Sequence, residues 1–353
     1  MTLDVSADHR DAEADGDQRP LVTVLVPAYN ESLKIESSLA AIHRYMESLA
    51  PTHRFELLVV DDGSTDATGA LVAAFADGRP DVRVLSHHVN MGIGQSLRDG
   101  FAAADGDIIV VFDSDLSYSV DHIGQMLDTM ADQQVGIVVA SPYMEGGRVT
   151  AIPWRRELMS KQANRMLSAS SQYHLKTITG MVRAYRASFV KALSLKSMGP
   201  EINTEIMYKA QIMRVRVAEI PAHLDWSDQA ERMATRKMSF RVSTTSKLLV
   251  FASFLYRPIW FFLVPGVLLL AISMWSGASL LVTVFRETSG SGSLDAQLTH
   301  AFEHAWQQRP QTFIIAGFTF VVAVQLISLG LLTAQAKRYF EELFYALSRE
   351  RPT

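Results

Sequence analysis

The sequence has no cysteine. That excludes disulfides, zinc–thiolate sites and a thiol nucleophile, and it leaves the compartment open. Positive charge is not in surplus either: 33 Lys and Arg stand against 37 Asp and Glu, for a formal net charge of -4. Nothing in that balance marks a nucleic-acid partner. No internal repeat is visible. Residues 1–20 lack the apolar core of a signal peptide; they are polar and rich in Asp, and read as a solvated, disordered tail.

What is present is 353 residues, 48% hydrophobic and 20% charged, enough for one large domain and an appendage. Across 21–227, short β-branched runs alternate with amphipathic stretches. Residues 21–26, 55–60, 82–85, 108–112 and 136–140 read as buried strands bounded by turn residues. Residues 32–49, 67–75, 93–104 and 120–130 read as the helices between them, with further helices near 157–170 and 204–213 in the same domain. The alternation predicts an α/β domain with a mostly parallel, Rossmann-like sheet covered on both faces.

Residues 228–257 are basic and amphipathic, with Arg232, Arg236, Lys237, Arg241, Lys247 and Arg257 among Met, Phe and Leu. They predict interface helices on an anionic membrane surface; the plain alternative is a solvated helix face. Residues 258–285 and 311–336 contain no charged side chain. Roughly 20 apolar residues span the hydrocarbon core, so both runs predict transmembrane helices, against the alternative of buried core helices. The span pair occupies 258–336, with a polar external loop at 286–310 and a cytoplasmic tail at 337–353. Lys and Arg are denser on the outer flanks, including Lys337, Arg338, Arg349 and Arg351, than in the link. This bias predicts a multi-pass cell-membrane protein whose large domain faces the cytoplasm.

The sharpest chemical feature is Asp113-Ser114-Asp115 directly after a strand. Carboxylates two residues apart at a strand end can converge on one hard cation, Mg²⁺ or Mn²⁺, that also takes oxygens from a diphosphate. Alone such a triplet is usually a solvated turn, but here it closes a buried strand at the usual ligand-binding edge of an open sheet. A second strand ends in Asp61-Asp62-Gly63-Ser64-Thr65-Asp66. One Asp there suits a base or ribose, and Ser64 or Asp66 suits a helix N-cap. A third carries Pro27-Ala28-Tyr29-Asn30-Glu31, where Tyr29 offers a stacking face and Glu31 an acceptor; the alternative is a simple strand-to-helix loop. Further on, Arg156, Ser160 and Asn164 are spaced by four and share a helix face. One guanidinium with two hydrogen bonders suits a phosphate; the alternative is a polar outer face. The histidines His43, His87, His88, His174 and His223 read as structural or solvated.

The three strand-end motifs together, followed by Asn90-Met91-Gly92 and Gly100, resemble the family 2 glycosyltransferases of the GT-A fold. Leu116-Ser117, Tyr143 to Gly147, Arg156 to Ser160, Ala163-Asn164, Thr179 to Arg186 and Glu205 narrow the resemblance to dolichyl-phosphate mannose synthases and bacterial polyprenyl-phosphate glucosyltransferases. The resemblance covers about 21–226, and such relatives also carry two C-terminal transmembrane helices. It implies inverting transfer of one sugar from a GDP- or UDP-sugar to polyprenyl phosphate, and by analogy a homo-oligomer of four copies. By the same resemblance Pro27, Tyr29, Glu31, Val60 and Asp62 hold the nucleoside, and Asp113 and Asp115 hold the diphosphate and metal. Ser114, Ser160, Asn164, Arg183, Glu205 and Arg232 join the ligand-binding set. Two family arginines are replaced: Pro142 precedes Tyr143, and Trp226 follows Asp225. Arg232, Arg236 and Lys237 are the candidates to substitute for them.

Two other functions are open to such a chain. A processive polysaccharide synthase of the same fold carries Gln-x-x-Arg-Trp, which is absent here, and usually more membrane helices. A non-catalytic scaffold or sugar-lipid carrier would lose the acidic triplet, which is intact.

Overall fold

The computed structural model describes residues 19–170, 173, 175–227, 258–287 and 294–350. Residues 1–18 of the expected tail and the basic 228–257 segment, with Arg232, therefore lie outside the described residues. The chain divides into two compact units. One comprises Met1–Thr150, Gly180–Gly199 and Arg216–Asp225; the other comprises Ala151–Thr179, Pro200–Val215 and Trp226–Thr353.

The first unit is built on strands β1 (Leu21–Ala28), β2 (Arg54–Asp61), β3 (Val82–Ser86), β4 (Ile108–Val111), β5 (Ile137–Ser141), β7 (Arg183–Arg186) and β8 (Val217–Pro221). They form one sheet in the order β3-β2-β1-β4-β7-β5-β8. β1 runs parallel to both β2 and β4, and β2 parallel to β3. β7 alone is antiparallel, inserted between β4 and β5. The central strands are apolar on both faces, as helical cover on both sides requires: Val22, Val24, Leu25, Val26, Leu57, Val59, Val60 and Val110 are wholly buried. The short β6 (Arg148–Thr150) and β9 (His223–Asp225) form a separate parallel pair.

Helices α1 (Ile35–Ser48), α2 (Thr68–Ala76), α3 (Ile93–Ala103) and α4 (His122–Gln133) link the strands, and α6 (Ala187–Ala192) follows β7. α1 buries Ile35, Leu39, Ile42 and Met46, a stripe at helical spacing. Each such side chain removed from water contributes about 1.5–3 kcal/mol. The predicted strands and helices of this unit are all present, with ends within a few residues of expectation.

The second unit contains α5 (Trp154–Ser170), α7 (Ile202–Ile212), α8 (Pro258–Glu287), α9 (Leu294–Gln308) and α10 (Pro310–Glu350). α5 and α7 were expected within the sheet domain but divide with the C-terminal helices instead. α8 and α10 hold two segments long and apolar enough to cross a membrane, Phe261–Arg286 and Pro310–Ala346. Only 22% and 11% of their most apolar windows are buried by the rest of the chain, which disfavours the buried-core alternative. The two helices pack closely through small residues: a Cβ on Gly266 would lie 2.9 Å from Ile327 Cγ1. The Ser273 hydroxyl donates to the Ala316 carbonyl at 2.8 Å.

Two details depart from expectation here. The polar link contains a helix, α9, because Ala301 and Ala305 recur at i and i+4 and bury against Val284 and Phe313. The tail at 337–350 continues α10 as helix. There it meets α7, whose Tyr208 hydroxyl donates to Glu341 Oε1 at 3.0 Å.

Gly63 follows β2 with φ of +68°, and a Cβ there would lie 2.3 Å from the Val89 carbonyl carbon. Gly78 has a similar φ, +73°, and open space around it. Gly78→Ala therefore costs only left-handed strain, about 1–2 kcal/mol. Gly63→Ala adds a collision with backbone that has no side chain to swing aside. Thermal unfolding of the detergent-solubilised protein should show the larger fall for Gly63→Ala; equal falls would mean that the 89–90 backbone yields freely.

Candidate active site

β1, β2 and β4 are mutually parallel neighbours, so their C-terminal ends lie along one edge of the sheet. The chain turns to opposite sides of β1 to form β2 and β4, which makes this edge a topological switch point. All three strand-end motifs stand there.

β4 is held in register to its end, with the Phe112 amide donating to the Leu25 carbonyl at 3.0 Å. Asp113, Ser114 and Asp115 follow, and Leu116 turns the chain back with φ of 53°. Ser117 ties both carboxylates. Its amide donates to Asp115 Oδ1 at 2.9 Å, and its hydroxyl to Asp113 Oδ2 at 3.4 Å. Burial among protein atoms, and then the charge of Asp115, push the Asp113 carboxyl up to about 7, although the residue keeps a partly exposed surface. The Tyr118 phenol is pushed up as well, by burial, Asp113 and Tyr143, with Arg183 opposing. Arg183 is wholly buried on β7, opposite Val111 of β4. Asp113, Asp115, Tyr118, Tyr143 and Arg183 thus feel one another's charge.

Among the described residues no third Asp, Glu, His or Cys completes a metal-binding group with this pair. A carboxyl pushed up by burial and by a neighbouring carboxylate nevertheless suits a hard divalent cation whose remaining ligands are oxygens of a diphosphate and water.

The first two strand ends are cross-tied. The Asn30 amide donates to Ser64 Oγ at 3.0 Å and the Thr65 amide to Asn30 Oδ1 at 2.8 Å. The Glu31 amide donates to Thr68 Oγ1 at 2.8 Å. Asp66 accepts from the Thr68 hydroxyl and amide and from the Ser32 amide, and these bonds hold its carboxyl well below the usual range. Asp66 therefore serves the loop rather than a ligand. Pro27 and Val60 are register partners buried in the sheet, whereas Tyr29 is 43% exposed and free to offer a ring face. Asp62 is buried and accepts from the Met91 and Gly92 amides, each at 2.9 Å. It thereby fixes the Asn90-Met91-Gly92 turn.

In the second unit the Arg156 side chain lies outside the described residues, and Ser160 is partly exposed on α5. Asn164 is 2% exposed and already bonded within the unit. Its Oδ1 accepts from the Ile178 and Thr179 amides at 2.7 and 3.2 Å, and its Nδ2 donates to the Ser160 carbonyl at 3.0 Å. Asn164 pins the 178–179 turn to α5, and its Oδ1 is occupied there. Glu205 is buried on α7 and paired with Lys209 at 2.5 Å. Trp226 is buried.

The sequence reading took His87 as structural or solvated, named Tyr143 only for the resemblance, and passed over Tyr118. A single His in a loop carries no local signal, and the tyrosines reach the acidic pair only through the fold.

The family model for Glycosyl transferase family 2 matches residues 23–194. The polyprenol monophosphomannose synthase of Mycolicibacterium smegmatis is 30% identical over 211 residues, 58% of this chain and 76% of that one. Glycosyltransferase AglD of Haloferax volcanii is 28% identical over 214 residues, 60% of this chain and only 34% of that one. A solved mannosyltransferase from Pyrobaculum calidifontis, in complex with GDP-Man and Mn²⁺, is 19% identical with a TM-score of 0.42, over 90% of this chain and 89% of its own.

The Asp113 carboxyl gives a stability prediction. In the fold it holds a proton up to about pH 7, whereas in the unfolded chain it ionises in the usual carboxylate range. Between those values the folded state binds the extra proton, so stability falls as pH rises, and the penalty is complete above pH 7. In EDTA, Asp113→Asn should raise the melting temperature at pH 8 and change it little at pH 5. An unchanged or lower melting temperature at pH 8 would mean that the carboxyl is not strained.

Proposed function

The chain belongs to the Glycosyl transferase family 2 proteins, and we propose that it transfers a single sugar, with inversion, from a nucleotide-sugar to the phosphate of a polyprenyl phosphate at the cytoplasmic face of a membrane. The observation that carries the transfer reading is the strained Asp113 and Asp115 pair at the switch-point edge, beside the nucleoside-side loops. The lipid half of the reading is supported by the two helices long and apolar enough to cross a membrane and by the mycobacterial relative's name. The donor is a GDP- or UDP-sugar, and the product is a lipid-linked sugar that serves as a donor for later glycosylation.

On this reading the nucleophile is an oxygen of the lipid phosphate. It is already anionic at neutral pH, so no general base is needed. The phosphate oxygen bonds to the anomeric carbon as the bond from that carbon to the nucleotide diphosphate breaks, and inversion follows from in-line displacement. Tyr29, Glu31 and Asp62 orient the nucleoside, and Asp113 and Asp115 would hold a Mg²⁺ or Mn²⁺ ion. When bound, that ion neutralises the charge that gathers on the departing diphosphate. Arg156, supported by Ser160 one turn further along α5, clamps the acceptor phosphate by a bidentate pair.

Three measurements test this reading. Asp115→Asn keeps the side-chain shape but removes half of the charge offered to a hard cation, so turnover should fall by orders of magnitude, and EDTA should do the same to the wild type. Full turnover in EDTA would remove the metal from the account. Arg156→Ala should cost about tenfold to a hundredfold or more in acceptor-dependent turnover, because hydrogen bonds to charged groups contribute about 1.5–3 kcal/mol each. Arg156→Lys should not rescue it, and donor affinity by calorimetry should barely move. Loss of donor affinity with acceptor dependence intact would assign Arg156 to the donor diphosphate. For topology, reporters fused at Ser291 and Thr353 should report opposite sides of the membrane; the same side for both would rule out two spans.

A further inference from the structure

Behind the nucleoside-side edge of the sheet, His87 stands between two carboxylates, buried Asp62 and part-exposed Asp99. His87 follows β3, and only 8% of its side chain is exposed. Its Nδ1 lies 2.8 Å from Asp62 Oδ1, and its Nε2 lies 3.1 Å from Asp99 Oδ2. Its backbone amide is fixed too, donating to the Asp61 carbonyl at 2.9 Å. Asp99 is on α3 and also accepts from Gln95 Nε2 at 2.7 Å. The ring therefore spans from the end of β2 to α3, with a carboxylate at each nitrogen.

The acceptor count at Asp62 gives this arrangement a functional meaning. A carboxylate offers about four acceptor positions. Asp62 Oδ1 takes His87 and the Met91 amide, and Oδ2 takes the Gly92 amide. One position on Oδ2 remains among these bonds. A side chain that is 6% exposed and held from three directions cannot rotate to present a different one.

We propose that His87 is a positioning residue for the donor: clamped between Asp62 and Asp99, it fixes the Asp62 carboxylate so that its last acceptor position on Oδ2 receives an N–H or O–H of the nucleoside. This rests on the nucleotide-sugar reading above and adds a residue outside every strand-end motif. Asp99 acts one step further back, holding the ring at its other nitrogen.

The experiment is calorimetric titration of UDP and GDP, with Mn²⁺, into the purified full chain, alongside steady-state transfer and thermal unfolding. His87→Ala removes the clamp and should weaken nucleotide binding by about tenfold or more, the scale of one lost hydrogen bond between charged groups. The donor KM should rise with it, while kcat at saturating donor and the acceptor KM stay within about twofold of wild type. His87→Asn keeps an N–H toward Asp62 in place of Nδ1, and should recover most of the binding. Asp99→Ala should weaken binding less than His87→Ala and add nothing when combined with it. If His87→Ala and His87→Asn both bind nucleotide as tightly as the wild type, or if kcat falls while donor KM holds, the proposal is overturned. A wild type that binds neither UDP nor GDP would instead overturn the nucleotide-sugar reading on which the proposal stands.

Discussion

Three parallel strands side by side, β2, β1 and β4, set everything else in the sheet domain. Their common direction brings Asp62, Tyr29 and Asp113 to one edge from positions more than 80 residues apart in sequence. The register pairs Ala28 with Asp61 and Leu25 with Val111, and a slip of one residue would exchange the side chains packed on one face for those packed on the other. The hydrogen bonds that tie Asn30 to Ser64 and Thr65, and Glu31 to Thr68, then hold the two nucleoside-side loops against each other.

At the third strand end the same packing works against stability. Asp113 is crowded by protein and faced by Asp115, and its carboxyl resists ionisation. Ser117 offers hydrogen bonds to both side chains but no positive charge. Local strain of this kind persists where surrounding structure over-determines it, and it marks a site prepared for a charge brought by something else. On the proposed reading, a divalent cation and the diphosphate it accompanies would meet that need together.

The regular part of this fold was legible in the sequence because its strands are unbroken β-branched runs and its helices carry clean apolar stripes, as in α1 with Ile35, Leu39, Ile42 and Met46. β7 was not legible: Arg-Ala-Tyr-Arg has no apolar run, and it becomes a strand only because β4 and β5 leave a gap that it fills in antiparallel sense. α9 was hidden by the Ser-Gly stretch before it and by an interface whose fully buried residues are alanines. At the site, the strand-end motifs were legible because each sits where an apolar run stops. Asn164 shows what spacing leaves out. Its spacing from Arg156 and Ser160 is right for a shared face, but spacing says nothing about which partners a side chain already has, and Asn164 is spent on the Ile178 and Thr179 amides. His87 has the opposite history, an isolated histidine in sequence and a bridge between two carboxylates in the fold.

The acceptor separates this account from that of a glycosyltransferase acting on a water-soluble substrate, and the membrane-length pair α8 and α10 gives it physical support. The most direct measurement is therefore of the product. Purified full-length protein in vesicles containing polyprenyl phosphate is incubated with Mn²⁺ and a panel of radiolabelled UDP- and GDP-sugars, and the label is followed into the organic phase. The account predicts that one donor labels the lipid with a single sugar per phosphate, and that omitting polyprenyl phosphate abolishes the transfer. Label that grows into a polymer, or transfer that proceeds equally well without the lipid, would contradict it.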